Sequence, residues 1–430
     1  MAAGTATQWR PTAALVRAAV AGPVLAVAAV LLGRPALLVV GAPLLICALL
    51  GILGRPRHDP VVDTTSEDRA LPEGSGTALH AAVRWTGRVE QVTRVLAPVD
   101  LVATKPVAGA VSVTPDPGAV AVSVALAVSP RRWGRPEVGK GLLAATSWWG
   151  GYRWGPFPTP GRRLTVLPAP LPFDTRAETP RPVGLVGANR SRRNGEGTEF
   201  SGIRPFQAGD RLRRIHWRTS LRTGELHTIT TTAEQDSEVV LLVDAIADLG
   251  ESGGVDGAAS SLDTTVRAAA ALAEHHLRTG NRVGLRVIGG GAQLLRPAAG
   301  LRHQRRILET LASVVPEPVG PDARVRLGVG AGTTVLVLSP LLARVVTTKL
   351  VELANRGLPV VAIDTLPGER PTGPDREALA WRLRLVERDL ELVQLARAGI
   401  PVVAWRGPGT LDEVMRRLTR RAQLPRAVAR

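Results

Sequence analysis

The sequence predicts a protein of mixed class: a two-helix transmembrane hairpin, then a small all-β domain of Ig-like type, then a doubly wound α/β domain. Three observations carry this. Two uncharged apolar runs, Ala18–Gly33 and Ala36–Leu53, stand near the N-terminus. Short β-prone runs fill the stretch that follows, to about residue 172. From Glu238 onward, apolar β-branched runs alternate with segments of helical period. That alternation marks a largely parallel sheet covered by helices.

A chain of 430 residues fits two to three domains and can bury a large core. Its formal net charge of +17 would ordinarily point to nucleic acid or anionic lipid. The basic residues are nearly all arginine, with Lys105, Lys140 and Lys349 as the lysines, beside abundant Ala, Gly and Pro. The excess is therefore read as the composition of a GC-rich genome, and no nucleic-acid partner is expected. The single cysteine, Cys47, lies in an apolar run, which excludes a disulfide framework or a cysteine metal site within one chain.

The N-terminal region, 1–58, holds the hairpin. Each apolar run approaches the length needed to cross about 30 Å of hydrocarbon. Ala13–Arg17 completes the first, with Arg17 snorkelling, giving spans of about 13–33 and 36–53. Gly33-Arg34-Pro35 makes the turn between them. Pro23 and Pro43 lie within the runs, as membrane helices tolerate. A cleaved signal peptide would explain the first run and leave the second unexplained. Arg10 and Arg17 precede the hairpin, and Arg55, Arg57 and His58 follow it. The positive-inside rule then puts both ends in the cytoplasm. The expectation is a multi-pass protein of the inner or plasma membrane, with the bilayer as one partner and everything after Arg55 cytoplasmic.

Residues 59–172 read as a β-sandwich. His80–Trp85, Glu90–Ala97, Ala108–Thr114, Ala119–Ser129 and Arg163–Leu167 are the strand candidates. The alternation on either side of Pro115-Asp116-Pro117-Gly118 predicts a hairpin there. Trp148, Trp149, Tyr152, Trp154 and Phe157 read as a packed aromatic corner, with a ligand platform or membrane-interface belt as the alternative. Pro168–Pro182 is a proline-rich linker.

The segment 173–236 contains the densest charged stretch, Asn194–His227. Glycines punctuate it at Gly195, Gly197, Gly202, Gly209 and Gly224, and Phe200, Ile203, Phe206, Leu212, Ile215 and Trp217 interleave its charges. The pattern predicts a loop-rich unit in which Glu199, Asp210 and Glu225 pair with Arg204, Arg213, Arg214 and Arg218, partly buried. Phe200, Phe206 and Trp217 are expected as core anchors. Asp210, His216, Ser220 and Glu225 suggest a hydrolytic constellation. No G-x-S-x-G elbow accompanies them, and the histidines lie among arginines, including Arg218 and Arg222, which lower a base's proton affinity. No catalytic residue is assigned. A structural, interaction role is expected, against a metal-dependent hydrolase or an anionic-ligand or nucleic-acid binder.

In the domain 237–430, Val239–Val243 reads as a buried parallel strand ending in Asp244. Leu262–Thr279, Gln304–Val314, Leu341–Arg356, Asp375–Ala398 and Leu411–Arg421 read as helices. Arg282–Ile288, Thr333–Leu338, Pro359–Asp364 and Pro401–Trp405 read as strands. Gly253–Ser260 reads as a flexible insertion.

The central stretch resembles the signature of the bacterial DUF58 family (domain of unknown function 58). The resemblance is carried by Gly197-Thr198-Glu199-Phe200, Arg204-Pro205-Phe206, Gly209-Asp210, Arg213-Arg214-Ile215-His216-Trp217 and Ser220 through Arg222, Gly224, Glu225 and Leu226. It implies that the C-terminal domain is like a von Willebrand factor A (vWA) domain, and that a MoxR-type AAA+ ATPase is a partner in an adaptor role. The vWA likeness further implies a metal site of the form D-x-S-x-S after the first strand. Here the segment runs Asp244-Ala245-Ile246-Ala247-Asp248. Asp244 and Asp248 are the candidate ligands of a degenerate site, Ile246 cannot ligate, and Ser339 stands where an acidic ligand is common. Magnesium, or any other cofactor, is not expected.

Overall fold

The computed structural model describes residues 8–169, 194–207, 210, 212–232, 238–289, 293–320, 327–330, 332–368, 375–407 and 410. The Pro168–Pro182 linker, apart from its first two residues, and the helix expected over Leu411–Arg421 lie outside these. The chain divides into two units, Met1–Leu167 with Gly253–Asp256, and Pro168–Ser252 with Gly257–Arg430.

The first unit opens with a short edge strand, β1 (Arg10–Pro11), that leads into helices α1 (Ala13–Leu31) and α2 (Ala36–Leu53). By length and composition both helices could cross a membrane. Thr12 starts α1. Its hydroxyl accepts from the Leu15 N–H at 3.3 Å and donates to the Gly150 carbonyl at 2.7 Å, while its N–H donates to the Gly151 carbonyl at 2.9 Å. The hairpin therefore rises directly from a sheet edge. Leu15, Ala18 and Ala48 pack with Tyr152 at its base. A Cβ on Gly151 would stand 2.9 Å from the Gly51 Cα, so only glycine allows this approach of strand to helix.

The β-rich region is built on two antiparallel sheets, with two short two-stranded pairs beside them: Glu137–Val138 with Arg162–Arg163, antiparallel, and Ala70–Pro72 with Thr165–Leu167, parallel. One main sheet contains β2 (Val61–Ser66), β3 (Thr77–Arg84), β5 (Val102–Lys105) and β7 (Ala121–Pro130), in the order β2-β3-β7-β5. The other contains β4 (Val89–Leu96), β6 (Ala110–Val113), β8 (Gly141–Ser147) and β9 (Tyr152–Thr159), in the order β1-β9-β8-β4-β6. Alternate residues of β3 and β7 are buried, as period-two strands with one covered face require. Ala81, Val83 and Val124 of the first sheet share a core with Val92, Leu143, Ala145 and Trp154 of the second. Arg94, buried between them, donates to the carbonyls of Leu79 (2.7 Å) and Val124 (3.3 Å).

The expected hairpin at Pro115–Gly118 does not form. β6 pairs with β4 and β7 pairs with β3 and β5, so the Pro-Asp-Pro-Gly turn carries the chain from one sheet to the other. Two prolines lacking N–H groups cannot continue a ladder, and the flanking strands take separate partners. The aromatic corner divides too: Trp154 is buried, whereas Trp149 is 52% exposed. Nor is Gly253–Ser260 a loose insertion throughout. Val255 donates to the Arg131 carbonyl at 2.6 Å, and Asp256 meets the Arg131 guanidinium at 2.5 Å.

In the second unit, β10 (Asn194–Pro205) and β11 (His227–Thr232) form an antiparallel pair, with helix α3 (Trp217–Thr223) between them in sequence. The stretch expected to be loop-rich is thus largely a long ribbon and a short helix. The main sheet has six strands: β12 (Glu238–Ala245), β13 (Arg282–Gly289), β14 (Leu294–Ala298), β15 (Thr334–Ser339), β16 (Val360–Asp364) and β17 (Val402–Ala404). Their order is β14-β13-β12-β15-β16-β17. All neighbours are parallel except β14, which runs antiparallel at the edge. The sheet is therefore mixed, and sequence reading missed β14. Every residue of β12 after Glu238 is buried, as a strand covered on both faces requires.

Four helices connect these strands: α4 (Ser261–Arg278), α5 (Leu301–Leu311), α6 (Arg344–Asn355) and α7 (Asp375–Arg397). Ser260 and Asp263 form a reciprocal capping box at the start of α4. Val240, Leu242, Val335, Val337, Leu350 and Leu395 anchor one core layer.

Gly289, at the end of β13, has φ +81, and a Cβ there would lie 2.6 Å from the Ala245 carbonyl oxygen. Gly289→Ala is expected to lower stability by about 1–3 kcal/mol from the backbone conformation alone, read as a lower midpoint in denaturant unfolding. An unchanged midpoint would contradict this placement.

Candidate functional site

Two places gather chemically able side chains within the second unit. The first is the carboxyl end of the parallel sheet. The chain leaves β12 for β13 on one side and later returns to β15 on the other. Such a switch point opens a crevice at the strand ends. A cleft of about 540 Å³ lies there, lined among others by Asp244, Ile246, Pro340, Glu377, Trp381 and Arg384.

Asp244 is buried at the cleft's base. Its Oδ2 accepts from the Ser339 hydroxyl at 2.5 Å and its Oδ1 from the Ile246 N–H at 3.1 Å. Ser339 Oγ accepts in turn from the Leu341 N–H at 2.9 Å. Burial pushes the Asp244 carboxyl above the ordinary carboxylate range, against the pull of the Ser339 hydroxyl and the Ile246 amide. Leu341 holds φ 56, an uncommon conformation for a branched residue. Asp248, the other candidate ligand, accepts from the Leu262 N–H at 3.0 Å, at the start of α4. Ile246 contributes its backbone N–H. Each Asp244 oxygen and one oxygen of Asp248 thus receive a hydrogen bond from a protein donor. Among the described residues no group of three or more His, Cys, Asp or Glu side chains is placed to share a metal ion.

Helix α7 walls the cleft. Arg388 reaches the Asp364 carboxylate and, at 2.9 Å, the Pro340 carbonyl, while Arg384 donates to the Leu342 carbonyl. Thr347 donates to Glu391 at 2.5 Å. Trp381, Arg384 and Arg388 were not singled out from the sequence, because no local spacing connects α7 with strand ends that it meets only through the fold.

The second place is the central motif. Arg204 grips Asp210 with two parallel hydrogen bonds, 2.8 and 2.7 Å, and the Gln207 N–H adds a third at 2.9 Å. The Arg204 hydrogen bond, then the Gln207 amide, hold the Asp210 carboxyl below its ordinary range. His216 caps α3: its ring accepts from the Thr219 N–H at 3.3 Å. Ser220 donates to the His216 carbonyl at 3.0 Å and accepts from the His227 N–H at 2.9 Å. Gly224, with φ +79, closes the helix in the left-handed conformation that glycine suits.

These contacts join only part of the predicted set. Arg204–Asp210 is present, but Arg213, Arg218 and Arg222 are exposed and make no ion pair among the described residues. Arg214 is half-buried, and its carbonyl accepts from Thr228 at 3.3 Å. The Glu225 side chain is exposed. Gly209 lies outside the described residues, as do the side chains of Glu199 and Phe200. The expected apolar anchors need correction. Ile215 is buried, but Trp217 is 61% and Leu212 70% exposed, and Leu221 beside them is 83% exposed. Trp217 and Leu221 fall on one face of α3 by their spacing, and that face points to solvent. The hydrolytic constellation is not assembled: the Ser220 hydroxyl bridges two backbone groups, whereas triad chemistry needs it on the base.

Residues 202–367 match the family described as "Protein of unknown function DUF58", so the likeness read from the central motif is shown over that segment. Uncharacterised proteins of Mycobacterium tuberculosis and Mycobacterium bovis are 33% identical over 127 residues, which is 29% of this chain. The match spans 39% of the length of those relatives. Among solved structures, the cupredoxin domain of amoB from Nitrosocaldus yellowstonii shares 11% identity, covering 26% of this chain and 88% of that one, at a TM-score of 0.17. That likeness is too slight to carry any argument.

Ser220→Ala removes a bridge between two half-buried backbone groups and should cost about 1–3 kcal/mol, whereas Trp217→Ala should leave stability near wild type. Asp210→Asn should lower the unfolding midpoint at neutral pH. Because its folded carboxyl titrates below the ordinary value, Asp210 stabilises the fold above about pH 4. That contribution fades as pH falls through the depressed value, so the gap between wild type and Asp210→Asn should close in acid. A gap that widens in acid would contradict the Arg204 pairing.

Proposed function

We propose that this chain is a membrane-anchored interaction protein that works as an adaptor on the cytoplasmic face. In this reading the helices α1 and α2 form a multi-pass anchor in the inner or plasma membrane, and the arginines at both ends keep the termini inside. The two facing β sheets act as an Ig-like module and the six-stranded sheet as a vWA-like domain. A MoxR-type AAA+ ATPase is the proposed partner, by the resemblance of the central motif. No catalysis and no bound metal are part of the reading. In this reading Asp244 and Asp248 serve as fasteners of strand and helix ends, through the Ser339 hydroxyl, the Ile246 amide and the Leu262 amide.

The observation that carries this reading is the outward face of α3. The motif spends Asp210, His216 and Ser220 on holding its own backbone, and leaves Trp217, Leu221 and Leu212 in water beside Arg218 and Arg222. Exposed Trp beside Arg, on a rigid support, is what protein partners grip. The same exposed arginines, which make no ion pair among the described residues, favour a second reading, an anionic ligand. That reading predicts binding that weakens steeply with salt and survives loss of the tryptophan.

The experiment is co-purification of the full-length chain from membranes, wild type against Trp217→Ala/Leu221→Ala, with a C-terminal reporter that is active only in the cytoplasm. Cytoplasmic reporter signal is expected, with an AAA+ ATPase recovered by wild type and reduced at least tenfold in the variant at unchanged thermal stability. Reporter signal only from outside the cytoplasm would overturn the topology. Equal recovery by the variant would overturn the role of α3.

A further inference from the structure

Helix α7 carries two apolar stripes, and its own domain uses one. The inner stripe, Trp381, Leu385, Leu392 and Leu395, turns toward the sheet, with Leu395 fully buried. The outer stripe is Leu379, Leu383, Val386, Leu390 and Val393, each between 48% and 63% exposed. Its spacing runs four, three, four, three. That 3.5-residue repeat keeps apolar groups facing a second helix along its whole length, and it is the seam of a coiled coil. A helix that only covers a sheet needs one such stripe. The next positions in the repeat are Arg376 and Arg397, which bound the seam at about four helical turns.

The flanking charges select the occupant. In heptad terms Leu383 and Leu390 are a positions, and the residues just before them, Arg382 and Asp389, are g positions. Both are exposed, and neither makes an ion pair among the described residues. In an antiparallel pair, g faces g. We propose that the outer stripe of α7 is the interface for a second copy of this chain, with the two α7 helices antiparallel. Leu379 then lies opposite Leu390 of the second copy, and Leu383 opposite its Val386. Arg382 meets Asp389 of the second copy, and the two-fold axis makes this pair twice. Sliding the register by one heptad would set Asp389 against its own counterpart, so charge fixes the alignment as well as the partner.

The test uses the full-length chain with Cys47→Ala, in the cell fraction that holds it. Leu379→Cys/Leu390→Cys in one chain should give a covalent dimer on mild oxidation, because these positions meet between copies and lie too far apart within one helix. Leu379→Cys alone should give little. Arg382→Asp should cut the cross-linked yield several-fold, and adding Asp389→Arg should restore it. Because the stripe lies outside the domain core, each variant should melt with wild type. A dimer from Leu379→Cys alone would overturn the antiparallel register. Absence of a dimer from the double cysteine chain would overturn the proposal. So would a monomer that Leu383→Glu/Leu390→Glu destabilises, since the stripe would then be covered within the chain.

Discussion

The second unit depends on the burial of β12. A strand whose residues from Val239 to Ala245 all lie out of water must be hydrogen-bonded on both edges and covered on both faces. β13 and β15 supply the edges, and the helices supply the covers. Placing its partners on opposite sides forces the chain to cross, and the crossing leaves a crevice where Asp244 and Ser339 end their strands. The Asp244–Ser339 hydrogen bond spans 95 positions in sequence and joins two neighbouring strand ends at that crevice. A carboxyl so deeply buried costs free energy when ionised, which the Ser339 hydroxyl and Ile246 amide partly offset. The gain is a fixed geometry at the strand ends that form the base of the cleft.

The central motif obeys a different economy. Its polar groups are short-range fasteners: Arg204 on Asp210, His216 on Thr219, Ser220 on two backbone groups. Such contacts rigidify a ribbon and helix too small to make a core of their own. That rigidity lets α3 hold large apolar side chains out in solvent at modest entropic cost. In a flexible loop the same side chains would collapse onto the nearest apolar surface.

The parts of this fold that were legible in the sequence are those whose pattern is set locally. Val239–Val243 announced a buried strand because a short, continuous run of Val and Leu ending in Asp244 suits a strand covered on both faces. Ala36–Leu53 announced a helix able to span a bilayer because nothing else needs eighteen uncharged residues. The edge strand Leu294–Ala298 was illegible, since Leu-Leu-Arg-Pro-Ala carries neither alternation nor length. The strands either side of Pro115–Gly118 were legible as strands, but their partners were not, because partner choice is a property of the whole sandwich. In the motif, the Arg204–Asp210 pair was readable as one of several ion pairs. The outward face of Trp217 was not, because a seven-residue helix can turn either side inward without changing its sequence pattern. Asp244 and Ser339 were both found by position at their strand ends, but the hydrogen bond between them and the arginines of α7 needed three dimensions.

The join between α1 and the β-rich region has a mechanical meaning. Pro11 is still paired in a sheet when Thr12 caps the helix, and Gly51 touches Gly151 at the other leg. No slack chain separates sheet from helix at that corner. For a hairpin set in a bilayer, the edge of the β-rich region is held within a few residues' length, about 10 Å, of the lipid headgroups. The region then behaves as a stem fixed to its root and not as a weight on a string. A load applied to the sheets is delivered to the helices as a tilt.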